Sequence, residues 1–155
     1  MAKLGNQLSA PSLSGGAYNT KGILRSRNAL SGDESTAPLN VSGTTLIHTT
    51  TDYAFDEVFL WAANHDSSSD LNLTIAIVPS STASSAAFSD AKKTFVIQIL
   101  NREGLQQIYP GVPHKNVSIY ASTTSNDKIN IFGYVDRHYR LDVTDITLGY
   151  DGGSS

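Results

Sequence analysis

The sequence predicts an all-β protein: an antiparallel β-sandwich, jelly-roll-like, with an extended N-terminal arm. Three observations predict it. From Thr44 onward, short runs rich in Val, Ile, Thr, Phe and Tyr alternate with clusters of Ser, Asn and Asp, the spacing of strands and turns in sandwiches and barrels. No stretch sustains a 3.6-residue apolar period. Residues 1–43 hold no sustained period of either kind and are rich in Gly, Ser, Asn, Ala and Pro.

The arm comes first. Pro11 and Pro38 break helices, and Gly15-Gly16 and Ser31-Gly32-Asp33 are turn signals. Such a segment cannot bury enough apolar area by itself to offset its ordering entropy. It either frays or orders on a partner surface. Lys3, Lys21, Arg25 and Arg27 all precede the first acidic residue, Asp33, and these four cations are its candidate partner contacts. The stretch from Gly22 to Arg27 is the one piece that reads as an edge strand.

Residues 44–140 form the expected β domain. Thr44 to Thr49 is β-branched. Asp56 to Asn64 is a strand apolar on both faces, which places Trp61 in the core. Asp70 to Ile77 alternates, with Leu71, Leu73, Ile75 and Ile77 on one face. The polar cluster from Asn64 to Ser69 joins these two as a long-looped hairpin. Ala83 to Lys93 reads as loop, and Thr94 to Leu100 as a further strand. Gly104 marks a turn, and Pro110-Gly111 reads as a type II turn. Val117 to Ala121 and Lys128 to Val135 alternate around polar turn residues, giving a second hairpin. Residues 141–155 form an acidic tail with Asp142, Asp145 and Asp151, a candidate for one added strand.

Composition narrows the function. At 155 residues and 16.6 kDa there is room for one domain with an arm. The absence of cysteine excludes a disulfide framework, a thiolate metal site and a Cys nucleophile. A net charge of −3 does not suit direct nucleic-acid binding by the chain as a whole. The apolar run Val58 to Ala63 is far shorter than the ~20 residues of a membrane span, so no membrane role is expected. Met1 to Gln7 is polar, without the apolar core of a secretory signal, and synthesis and folding in the cytoplasm are expected.

Motifs for chemistry are missing. His48, His65, His114 and His138 form no HExxH, and there is no GxSxG elbow, P-loop or GxGxxG. His65-Asp66 could hold a metal only with ligands from elsewhere. Successive strand residues face opposite ways, so Asp56 and Glu57 do not make a catalytic pair. No enzyme, cofactor or metal is expected. The most distinctive polar-aromatic cluster runs from Gly133 to Arg140. Tyr134, Arg137, Tyr139 and Arg140 are its candidate interface residues, because Tyr and Arg are enriched where proteins meet. The same side chains also stack on sugars and bases.

In order, Leu46-Ile47-His48-Thr49, Asp56 to Asn64, an alternating strand, Gly104-Leu105 to Pro110-Gly111, and Ile129 to Arg137 resemble the β domain of small virion structural proteins of tailed bacteriophages. The resemblance covers about residues 44–138. It implies a non-enzymatic, virion-located protein, a capsid decoration or cement protein whose β domain and arm stabilise the shell. The implied partners are major capsid or other virion proteins and further copies of the chain in a trimer or hexamer. A neck or tail adaptor carries the same motifs. A carbohydrate-binding β-sandwich is the competing reading, motivated by Trp61 and the Tyr134 to Tyr139 cluster.

Overall fold

The computed structural model describes residues 23–33, 38–91 and 93–140. Lys3, Lys21 and the acidic tail lie outside them. Nine strands follow in order: β1 (Ile23–Asn28), β2 (Leu39–Asn40), β3 (Thr45–Thr49), β4 (Ala54–Asn64), β5 (Leu71–Pro79), β6 (Lys93–Ile99), β7 (Leu105–His114), β8 (Val117–Thr123) and β9 (Ile129–Arg140). Single 3-10 turns occur at Ser31–Asp33 and Ser84–Ala86.

The strands build two antiparallel sheets. The first runs β1-β9-β4-β7, with β2 also pairing β9, and the second runs β3-β8-β5-β6. β1 pairs Val135 to Arg140 of β9 and β2 pairs Asn130 and Ile131, so together they act as one interrupted strand. The result is an all-β sandwich with the strand order of a jelly roll.

That order corrects both expected hairpins. β4 belongs to the first sheet and β5 to the second, and the same holds for β9 and β8. Each polar loop carries the chain across the sandwich instead of back along the same sheet. The Asn64 side chain holds the first crossing, donating to the carbonyls of Ser69 and Ile99 at 2.9 and 3.0 Å. Pro110-Gly111 is likewise no turn. It lies within β7, where the register against β4 shifts between Val58 and Phe59. Gly111, at φ 86°, takes up the extra residue of a bulge. β7 borders only β4, a position that tolerates the missing N–H groups of Pro110 and Pro113.

The expected boundary at residue 44 also gives way. Leu30, Leu39 and Val41 are buried in the core with Ile47, Val58, Leu60, Leu73, Ile75, Ile119 and Val135. Residues 23–33 and 38–41 are therefore part of the β fold, with the piece starting at Ile23 pairing as the edge strand that the sequence suggested. Sequence patterning missed this because β1 and β2 are short and separated by a Gly-containing turn. Gly32 is required in that turn, since a Cβ there would run into the Leu46 carbonyl oxygen.

The two outer faces differ. The loop after β5 folds over the second sheet, where Ala87 is buried with Val78 and Tyr120, and Phe88 packs beside them. No such cover lies over the first sheet among the described residues. Leu30→Ala should lower unfolding free energy by about 2–5 kcal/mol, read by urea denaturation. A chain starting at Thr44 should fail to show the cooperative transition of one starting at Ile23.

Candidate functional site

The candidate site is the open outer face of the first sheet. In β4, Ala54, Asp56, Val58, Leu60, Ala62 and Asn64 are buried. Strand alternation then turns Phe55, Glu57, Phe59, Trp61 and Ala63 outward. This corrects the core placement of Trp61: the strand is apolar on both sides because its outer side carries an aromatic cluster of its own. Directly opposite on β9 stand Tyr134 beside Phe59 and Phe132 beside Trp61.

These rings form a column across four strands. Phe59 lies against Gly111 of β7, where any Cβ would meet its ring. Phe59 stacks on Tyr134 with centroids 5.0 Å apart at 25°. The Arg27 guanidinium covers Tyr134 at 4.0 Å from the ring centre. Trp61 leans on Tyr134 at 5.8 Å and 34°. Arg27 is fixed in turn by Asp136, with Nε to Oδ1 at 2.8 Å and Nη2 to Oδ2 at 3.0 Å. The Arg27 bonds hold the Asp136 carboxyl below the ordinary carboxylate range. Glu57 and His138 pair at 2.9 Å on the same face. Beyond the column, Trp61, Phe132 (38% exposed) and Leu105 (55% exposed) form an apolar patch spanning β9, β4 and β7.

The inner side of the same strands carries a charge cluster. Asp56 is fully buried. It accepts Nε of Arg137 at 2.7 Å and Nη2 at 2.9 Å, and it meets Nε2 of His48 at 2.9 Å. The backbone N–H of Ser31 donates to His48 Nδ1 at 3.1 Å. Nδ1 is thus an acceptor, so Nε2 carries the ring proton and donates to Asp56. Burial pushes the Asp56 carboxyl up, but the bonds from His48 and Arg137 outweigh it and hold it below the ordinary value. Arg137 is raised, chiefly by its bond to Asp56. Ser31, His48 and Asp56 do not have the arrangement of a catalytic triad, because it is the Ser31 backbone N–H that meets His48, while the Ser31 hydroxyl is turned to the Thr49 N–H at 2.7 Å.

Strand alternation therefore divides the candidate interface residues. Tyr134 faces outward. Arg137 faces inward onto Asp56. Tyr139 stacks on Tyr53 at 6.1 Å, and Arg140 is described by its backbone alone, paired with Ile23. Of the arm cations, Arg25 is exposed opposite His138, and Arg27 already has its partner within the chain. Sequence reasoning missed Phe59, Phe132 and Asp136 on the outer face and Asp56 in the inner cluster. The signal that could have found the outer set is the apolar character of both faces of Asp56 to Asn64. His65-Asp66 makes a loop: Asp66 Oδ1 accepts the N–H groups of Ser68 and Ser69 at 2.9 and 3.0 Å. No metal-binding group of three His, Asp or Glu side chains occurs among the described residues.

No family model and no curated protein matches the sequence. Several solved structures match at low similarity, two of them as follows. One is a subunit from Bacillus endospore appendages, described as a novel family of disulfide-linked pili, at TM-score 0.49 and 10% identity, covering 84% of this chain and 99% of that one. The other is dimeric latent PorU from Porphyromonas gingivalis, at TM-score 0.37 and 10% identity, covering 77% of this chain and 13% of that one.

Asp56→Ala leaves Arg137 and His48 without their carboxylate and should cost about 3–5 kcal/mol, measured by denaturant unfolding. Because Asp56 titrates lower folded than unfolded, its contribution is present above its unfolded value of 3.8 and lost as pH falls below that. Wild-type stability should therefore fall more steeply through that acid range than that of Asp56→Asn.

Proposed function

We propose that this protein is a non-enzymatic structural protein of a tailed-bacteriophage virion, a capsid decoration or cement protein that binds major capsid or other virion proteins. The observation that carries this reading is the outer face of the first sheet, uncovered among the described residues, where Trp61, Phe132 and Leu105 form an apolar patch beside the exposed Gln107, with the Arg27–Asp136 and Glu57–His138 pairs on the far side of the Phe59–Tyr134 row. An apolar centre with a polar rim is the anatomy of a protein contact surface. The column behind the patch holds it rigid, so docking costs little ordering. The order of β motifs, from Leu46 to Arg137, supports the same reading. Repetition of one weak contact over a shell, and self-association as a trimer or hexamer, would add avidity.

A neck or tail adaptor would use the same face and differs in copy number per particle. The carbohydrate reading gains from the outward Trp61 but loses at Tyr134, whose two ring faces are occupied by Phe59 and Arg27. Sugar stacking needs a free ring face.

Purified protein added to capsids lacking it should bind in many copies spread over the shell. Phe132→Asp should weaken that binding about tenfold or more, equivalent to about 1.4 kcal/mol, with thermal unfolding nearly unchanged. Full occupancy by Phe132→Asp would sink the reading, and binding only at one vertex would favour the adaptor.

A further inference from the structure

Among the described residues the two sheets have four edges: β1 with β2, and β7, in the first, and β3 and β6 in the second. An edge strand presents unpaired N–H and C=O groups and pairs readily with another chain unless it is blunted. Three of the four are blunted. β7 carries Pro110, Pro113 and the Gly111 bulge. β3 is irregular between Leu46 and His48, and the Ser31–Asp33 turn lies over it, with Thr49 N–H donating to Ser31 Oγ at 2.7 Å. β1 bears the exposed Arg25 and Arg27.

β6 has one charge, the exposed Lys93 at its first residue, and none of the other devices. Its register against β5 is unbroken from Lys93 to Ile99. It contains no proline and no acidic residue. No strand pairs its other side among the described residues. Phe95 and Ile97 face the core, while Thr94, Val96 and Gln98 are exposed, Val96 to 61%. A stack of Phe95 on Tyr109, with centroids 5.7 Å apart, holds the strand in place against β7.

We propose that β6 is a homotypic interface, pairing antiparallel with β6 of a second copy about a two-fold axis through Val96. The sequence is self-complementary in that register. Val96 meets Val96, Thr94 meets Gln98, and the lone cation, Lys93, is carried to opposite ends of the pair rather than onto its counterpart. The second sheets of the two copies then join into one continuous sheet, and the interface is isologous. The outer face of the first sheet remains free, so this inference stands independently of the virion reading.

The test is sedimentation velocity over a concentration series with hydrogen exchange at β6, both on the full chain. The wild type should form dimers or assemblies of dimers, with amides of residues 94–98 gaining protection as concentration rises. Val96→Glu and Val96→Lys each place like charges against themselves and should weaken association about tenfold or more, with unchanged far-UV circular dichroism. Mixing the two variants should restore association, because only a two-fold at this position sets Glu opposite Lys. Any of four results overturns the proposal: a monomeric wild type, β6 amides protected equally at all concentrations (a segment of the same chain occupies the edge), variants that associate like the wild type, or a mixture that stays dissociated. If the variants do not fold, the concentration dependence of wild-type β6 protection decides alone.

Discussion

The buried carboxylate of Asp56 sets conditions that much of the first sheet must meet. A charge removed from water destabilises the fold unless it is fully bonded. Here Arg137 supplies a two-toothed partner from β9 and His48 a third donor from the opposite sheet. Asp56 and Arg137 are also direct partners in the β4–β9 register. A slip of one residue would carry Asp56 outward and the aromatic side chains inward. The same inward bond thus fixes which residues the protein shows to its surroundings: Phe59, Trp61, Phe132 and Tyr134.

The second ion pair repeats the logic one strand further out. Arg27 and Asp136 are partners in the β1–β9 register and are joined on the outer face. An exposed pair like this contributes little to stability, because water and salt screen it. Its value is positional. It holds β1 in register and lays the guanidinium on Tyr134, completing the column that begins at Gly111 of β7. That column crosses β7, β4, β9 and β1, and it makes the outer face a preorganised surface.

The all-β class was legible because Leu71 to Ile77 and Ile129 to Val135 alternate plainly, and the structure buries the faces that the alternation selects. Gly133 follows the general rule for a glycine inside a strand: a Cβ there would strike the Phe59 carbonyl oxygen. Sheet membership was not legible. A polar loop such as Asn64 to Ser69 has the same composition whether it reverses a hairpin or crosses a sandwich, and the choice depends on long-range pairing with β7 and β9. The part played by residues 23–33 and 38–41 was hidden for a related reason. Leu30, Leu39 and Val41 are isolated apolar residues among turn formers, and they become core only because β9 and β3 supply their neighbours. Trp61 lies outward because apolarity on two faces of β4 does not require burial on both.

The central claim is that the outer face of the first sheet is where this protein meets its partner. Trp61 is the only tryptophan in the chain and sits in that face, so its fluorescence reports on the face directly. Iodide quenching of the free protein and of the same protein bound to virion shells tests the claim. The account predicts measurable quenching when free and near-complete shielding when bound. Equal quenching in the two states would contradict it.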